Sequence, residues 1–160
     1  MVSVLLGLGA MAAGAAENYK IGFVSTERVL REATPALKAQ KKIEKEFLVR
    51  DQELQKMAKQ AQDLRAVLEK EGVAMPESDR RNKERDLANQ TRELQRAQRE
   101  FNEDLNLRKN EELSMVLERA NKAIQAIAEA EKFDLILQEA VFRSDRIDIT
   151  DKVIKALADK

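Results

Sequence analysis

The side chains that could do chemistry in this chain are its charged ones, which make up 36% of the 160 residues. Cys and His are absent, which excludes zinc fingers, thiol chemistry, catalytic pairs built on Cys or His, and His-ligated metals. The chain has neither a GxxxxGK(S/T) loop nor a GxGxxG turn for binding phosphate groups. Its carboxylates are numerous, but their pattern is typical of solvated helix faces. The composition therefore predicts a binding or structural protein that needs no cofactor.

The charges are unevenly distributed along the second half of the chain. Residues 80–99 contain seven positive and three negative side chains, whereas residues 100–131 contain four positive and eight negative ones. The basic stretch could contact an anionic lipid surface or an acidic protein segment, and its first four cations are Arg80, Arg81, Lys83 and Arg85. The alternative is a solvated face of intrahelical ion pairs, such as Glu93 with Arg96. A formal net charge of zero argues against nucleic acid as a partner.

Turn-forming residues are scarce, and their positions define the elements that must carry these charges. Beyond residue 16 the only Gly and Pro residues are Gly22, Pro35, Gly72 and Pro76. Few turns combined with many charged, Leu and Ala residues indicate long helices. Thr34 is the predicted N-cap of a first long helix with Pro35 at its first position, and Gly72 is the predicted C′ residue after about residue 71.

A second long helix is predicted from an N-cap at Ser78 to about Glu131. Both helices carry apolar residues at heptad spacing. The seam of the first helix comprises Ile43, Phe47, Arg50, Leu54, Met57, Ala61, Leu64 and Leu68. The seam of the second comprises Leu87, Leu94, Phe101, Arg108 and Met115, and a second register continues through Leu113, Leu117, Ala120, Ile124 and Ile127. The shift between registers indicates a stutter or a change of packing partner.

These two helices predict an antiparallel hairpin arm over residues 36–131, with its tip near residues 72–78. The alternative is a parallel dimeric coiled coil, which a Gly and a Pro in mid-chain disfavour. The predicted fold class is mainly α: a long coiled-coil hairpin that projects from a small β-sheet head.

Two β-rich clusters, residues 19–25 and 133–143, flank the predicted arm. The hairpin returns the chain to its start, so the first strand and a later pair can join in one small sheet. Residues 17–35 and 132–160 then form the head, with a helix Thr26–Glu32 capped by Ser25 or Thr26 and a helix Asp151–Leu157 capped by Thr150. A sheet this small and apolar on both faces needs a partner, which predicts a homo-oligomer. The predicted oligomerisation residues are Ile21, Phe23, Val24, Leu135, Ile136, Leu137, Val141 and Phe142.

The first sixteen residues contain no charged side chain. An apolar run is followed by small residues that suit cleavage near Ala15 or Ala16, and charge resumes at Glu17. The segment is shorter than the roughly 20 residues of a membrane-spanning helix. Residues 1–16 are therefore interpreted as a signal peptide for export; the alternative is a buried N-terminal helix.

Three segments of the chain resemble the Skp (OmpH) family of periplasmic chaperones. They are Lys20 to Leu30 (KIGFVSTERVL), Gln40 to Phe47 (QKKIEKEF) and Ile147 to Leu157 (IDITDKVIKAL). The resemblance spans nearly the whole chain after residue 16. It implies a homotrimer with a β head and three helical arms around a cavity. It also implies an ATP-independent holdase that binds unfolded outer-membrane proteins crossing the periplasm and prevents their aggregation.

A second hypothesis is a structural or adaptor protein, in which the coiled coil is a periplasmic spacer with a fixed folded partner. A spacer should have a continuous, uniform seam and one specific apolar patch. The weak seam and a head that closes on itself favour the chaperone.

Overall fold

The computed structural model describes residues 19–158, so the predicted signal peptide lies outside the described residues. The elements in chain order are β1 (Ile21–Phe23), α1 (Thr26–Glu32), α2 (Thr34–Glu71), α3 (Glu77–Glu131), β2 (Leu135–Leu137), a 3-10 turn (Asp145–Ile147) and α4 (Thr150–Ala158). None of these helices is long and apolar enough to cross a membrane. The fold class predicted from the sequence, mainly helical with a small β head, is confirmed.

Helices α2 and α3 form an antiparallel hairpin. Their 38 and 55 residues correspond to about 57 and 83 Å at about 1.5 Å per residue. Three ion pairs join the helices, and their partners run in opposite directions: Lys42–Glu112, Glu46–Arg108 and Arg50–Asp104. The chain thus folds back on itself as predicted, and it does not take the extended form that a parallel dimeric coiled coil requires.

The turn between α2 and α3 differs from the prediction in its backbone. Gly72 has φ −57° and ψ −33°, which is right-handed helical backbone, not the left-handed conformation typical of a C′ glycine. Glycine is needed there for a different reason, because a Cβ on Gly72 would collide with the carbonyl oxygen of Leu68. The two predicted N-caps are also wrong. Thr34 and Ser78 already belong to α2 and α3. The N-cap residues are Ala33 and Pro76, and neither makes a side-chain capping hydrogen bond.

Strand β1 is the central strand of the head. On one side it pairs in parallel with β2, in the register Ile21–Leu135, Gly22–Ile136 and Phe23–Leu137. On its other side Phe23 bridges Asp148, and the Phe23 carbonyl oxygen accepts a 2.9 Å hydrogen bond from the amide of Ile149. Both edges of β1 are thus occupied within the chain, whereas β2 has one strand partner among the described residues.

The second strand predicted within residues 133–143 does not form in the single chain. Residues 140–143 are irregular loop, and Val141 and Phe142 project into solvent. A strand needs a partner strand, and residues 140–143 pair neither with β1, whose two edges are occupied, nor with the open outer edge of β2. The prediction of a later pair of strands is therefore wrong for the isolated chain.

The core of the head lies where α1, α4 and the end of α3 pack under the sheet. Val24, Val29 and Val153 are its fully buried centre. Around them pack five more buried residues: Ala33, Ala120, Ala123, Ile149 and Leu157. Helix α1 is capped as predicted by Ser25, whose hydroxyl accepts a 3.3 Å hydrogen bond from the amide of Arg28.

A buried hydroxyl joins the two ends of the chain inside this core. Thr150 is fully buried; its Oγ1 accepts a 2.8 Å hydrogen bond from the amide of Ser25 and donates one of 2.5 Å to the Asp148 carboxylate. Asp148 also accepts from the amide of Thr150, so Asp148 caps α4 in place of the predicted Thr150. Burial raises the pKa of Asp148, but the Thr150 hydrogen bonds and the charge of Arg143 outweigh it and hold that pKa below its usual value.

Thr150 gives a direct test of this junction. Thr150→Val keeps the side-chain volume but leaves the amide of Ser25 without its acceptor. We expect it to lower the free energy of unfolding by about 1–3 kcal/mol. Thr150→Ser keeps the hydroxyl and should cost clearly less. Urea unfolding followed by far-ultraviolet circular dichroism measures both, and equal losses in the two variants would contradict the role of the hydroxyl.

Candidate binding surfaces of the arm and head

The base of the arm, residues 36–50 and 100–131, contains an almost fully buried carboxylate. Glu112 accepts a 2.6 Å hydrogen bond from Nζ of Lys42 on the opposite helix, and the guanidinium of Arg108 lies 3.3 Å away. Arg108 also contacts Glu46 and Glu111 at 3.2 and 2.8 Å. The bond from Lys42 lowers the pKa of Glu112 by more than burial raises it. This ion-pair cluster joins α2 to α3 and fixes their register.

An aromatic pair makes the next contact between α2 and α3 on the side of the cluster away from the head. The rings of Phe47 and Phe101 meet edge to face, with centroids 5.4 Å apart at 85°. The guanidinium of Arg50 lies 5.5 and 5.8 Å from these two centroids and 2.8 Å from the carboxylate of Asp104. These contacts explain why a heptad seam tolerates an arginine, since the charge is both paired and stacked on aromatic faces.

Beside these contacts the two helices leave an open furrow of about 640 Å³ on one side of the arm base. Its lining combines Leu30 of α1 with residues of α2 and α3. The α2 wall comprises Ala36, Ala39, Gln40, Ile43, Glu44, Phe47, Leu48 and Asp51, and the α3 wall comprises Phe101, Leu105, Lys109, Glu112, Leu113 and Val116. Leu113 begins the second apolar register of α3. The later members of this register, Ala120, Ile124 and Ile127, pack in the core of the head, so the shift of register is a change of packing partner from α2 to the head.

Large apolar side chains are exposed in two regions of the described chain. One is the arm base, with Leu37, Leu48, Val49, Leu107, Leu113 and Met115. The other is the head, with Tyr19, Ile21, Leu135, Leu137, Val141 and Phe142. In the outer arm, residues 51–99, Val73 at the turn is the one exposed large apolar side chain. The outer arm is therefore polar over almost its whole length.

The head brings together five of the eight predicted oligomerisation residues on its solvent side. Ile21, Leu135, Leu137, Val141 and Phe142 are exposed, and we call them the head apolar surface. The other three point inward: Phe23 and Val24 are buried, and Ile136 packs against the core of its own chain.

Arg143 anchors the loop that carries Val141 and Phe142. Its guanidinium lies 4.7 Å from the centroid of the Phe23 ring and 2.6 Å from the carboxylate of Asp148. The loop is therefore tied to β1 immediately after its two exposed apolar residues, which holds them away from the core.

The four predicted contact cations near the turn are in unequal surroundings. Arg80 pairs with Glu84 at 3.4 Å and Arg81 pairs with Glu77, whereas Lys83 and Arg85 have no ion pair among the described residues. Over residues 51–99 eleven positive side chains accompany ten negative ones. The outer arm is thus almost neutral, and the basic stretch of α3 is offset by its neighbours.

Sequence reasoning missed the cross-helix cluster and most of the furrow. Lys42 and Glu112 look like ordinary surface charges until the register of the hairpin is known. Leu48 was a weak sequence signal for the furrow, because it is apolar but lies outside the heptad seam. Leu113 was a stronger signal, because it begins the second apolar register of α3.

A long hairpin arm on a head with an exposed apolar surface defines a protein that binds other macromolecules. Comparison with known proteins is consistent with this class. A family described as outer membrane protein (OmpH-like) matches residues 20–157, and the chain belongs to this family. The resemblance read from the sequence is therefore confirmed.

Two relatives and one solved structure illustrate the match. The chain is 29% identical over 154 residues to chaperone protein Skp of Pectobacterium atrosepticum, and the match covers 93% of each chain. It is 30% identical over 153 residues to chaperone protein Skp of Escherichia coli, again over 93% of each. An OmpH-like outer membrane chaperone from Caulobacter crescentus has the same fold, with a TM-score of 0.73, 16% identity, and coverage of 97% of this chain and 90% of that one.

The ion-pair cluster makes a prediction about acid stability. The pKa of Glu112 in the folded chain lies below its ordinary value of 4.5, so its stabilisation is complete above that value and is lost as pH falls through the lower folded pKa. Glu112→Gln should unfold at lower urea concentration at about pH 7, and the difference from wild type should shrink as pH falls below 4.5 through the lower folded pKa of Glu112. Glu103→Gln removes a carboxylate with no ion pair among residues 19–158 and serves as control. A difference independent of pH would contradict the assignment.

Proposed function

We propose that this chain is an ATP-independent holdase chaperone of the periplasm, which binds unfolded outer-membrane proteins and prevents their aggregation. The observation that carries the proposal is the match to chaperones named Skp over 93% of both chains, head and arm together. The uncharged segment of residues 1–16 supports export to the periplasm.

A holdase acts by covering apolar segments that would otherwise associate with one another. This chain offers apolar surface at its arm base and a long polar outer arm beyond it. Contacts of this kind need no chemical step, which agrees with the absence of phosphate-binding motifs from the sequence. The outer arms can surround a client without adhering to it, because nearly all their exposed side chains are polar.

The head supports assembly into a homo-oligomer, and the family resemblance implies that this oligomer is a trimer. The head apolar surface places five exposed large apolar side chains on one small head, which favours their burial against a partner. Strand β2 has one strand partner within residues 19–158, so its outer edge can accept a strand from a neighbour. The loop of residues 140–143, apolar and unpaired in the single chain, is the segment we assign to that edge. Phe23, Val24 and Ile136 contribute indirectly, since they hold the sheet on its core.

Assembly can be tested at Phe142, which is 86% exposed in the single chain. Phe142→Asp should dissociate the oligomer because a charge would be buried in the interface, while the head of each chain stays folded. Val73→Asp places the same charge on a fully exposed apolar residue at the turn and should leave the oligomer intact. Sedimentation gives the mass and circular dichroism the fold. An unchanged mass for Phe142→Asp would contradict this interface.

Holdase activity is tested with a urea-unfolded β-barrel protein of the outer membrane, diluted into buffer beside the purified chain. Light scattering should show aggregation suppressed at a stoichiometric ratio, with no change on adding ATP. A folded soluble protein of similar size replaces the chaperone as control. If the client aggregates as fast in the presence of the chain as in its absence, the proposed function is refuted.

A further inference from the structure

We propose that the furrow at the arm base is the docking site for client chain, and that it takes an extended segment with apolar side chains at alternate positions. This inference rests on the proposed function and assigns to it a particular surface. The two helix walls meet there in an apolar floor formed by Ile43, Phe47 and Val116, with Leu48 and Leu113 as exposed edges.

The distribution of apolar surface along the arm favours this location. A holdase with one exposed large apolar side chain in its outer arm, Val73, must gain most of its contact energy elsewhere. The head apolar surface is assigned to assembly. The arm base is the remaining described region with several exposed large apolar residues, and the furrow is the concave part of it.

The dimensions of the furrow fit an extended chain. From Ala36 to Asp51 the α2 wall runs about 22 Å, which equals six or seven residues of extended chain at about 3.3 Å each. Wall residues four apart, such as Ile43 and Phe47, repeat every 6 Å or so along the helix. Alternate side chains of a strand repeat about every 6.6 Å. Strands of membrane barrels alternate apolar and polar residues, so one face of such a strand presents the matching series.

An aromatic contact closes the floor of the furrow. The Phe47 and Phe101 rings meet there with centroids 5.4 Å apart, so a bound segment rests on the floor and does not pass between the helices. Single side chains of an extended segment can enter.

The rim of the furrow adds a charge preference. The carboxylates of Glu44 and Asp51 accept hydrogen bonds from Gln40 and Gln55, and neither forms an ion pair within residues 19–158. Lys109 is the one cation of the lining. A segment that ends in Lys or Arg should therefore bind more tightly than the same segment ending in Glu, most clearly at low salt.

The test uses paired surface variants of the full chain. Leu48→Gln with Leu113→Gln makes both edges of the furrow polar, and these residues are 55% and 42% exposed. Val49→Gln with Leu107→Gln is the matched control, because these residues are on the same two helices, are 61% and 60% exposed and do not line the furrow. Both pairs leave the buried core untouched.

The probe is a synthetic peptide of about ten residues that alternates Trp or Val with Ser or Thr and ends in Lys. The chain has no Trp, so the fluorescence of the peptide reports binding directly. We expect the furrow pair to weaken binding about tenfold or more, and the control pair to change it less than about twofold. Suppression of barrel-protein aggregation should fall with the same pair.

Three outcomes overturn the inference, and they are distinguishable. Equal binding by the two variant pairs, with full aggregation suppression by wild type, removes the furrow as the site and leaves the proposed function standing. A change of oligomer mass in the furrow pair alone identifies the furrow as a contact between copies of the chain. Failure of wild type itself to suppress aggregation refutes the proposed function and the site with it.

Discussion

The structure depends on one constraint: a three-residue strand must hold together two ends of the chain that are separated by the whole arm. Strand β1 is clamped between β2 and the segment at Asp148 and Ile149. Further bonds cross the same gap, such as the amide of Lys20 to the Asp134 carboxylate at 2.6 Å. Closing so long a loop carries a large entropic cost, which the long helices reduce because they leave few flexible residues to order. The head is therefore not independent of the arm, since the arm connects the two chain segments that form the head.

Much of this architecture could be predicted because it is encoded locally. The bounds of α1 and the end of α3 at Glu131 follow from caps and helical periodicity, and the hairpin follows from a turn at Gly72. The predicted N-caps at Thr34 and Ser78 were wrong because Thr and Ser also fit inside the first turn of a helix, so the residue type alone does not fix where the helix begins. The strand expected within residues 140–143 was wrong because a strand depends on pairing with a sheet edge, and these residues do not pair with the open outer edge of β2.

The candidate binding surfaces were less accessible to sequence reasoning. The sequence shows which apolar residues of a strand share a face, because successive side chains point to opposite faces of the sheet. Which face meets the core depends on the helices that pack beneath the sheet. This is why Val24 is fully buried and Leu135 exposed. The furrow is lined by side chains of both arm helices, so it exists only once the two helices are paired in their register. Its signals in the sequence were the second register at Leu113 and the apolar Leu48 outside the seam.

The parallel pairing of β1 with β2 has a consequence for the order of folding. A chain that is delivered from its N-terminus presents β1 first, yet its partner strand follows only after both arm helices have appeared. The arm, whose contacts are formed between neighbouring turns and across one hairpin, can be complete while the head is still open. Contacts between the ends have the greatest separation in sequence and therefore carry the greatest loop-closure cost. Each newly made chain can thus complete its head only when its C-terminal segment has arrived.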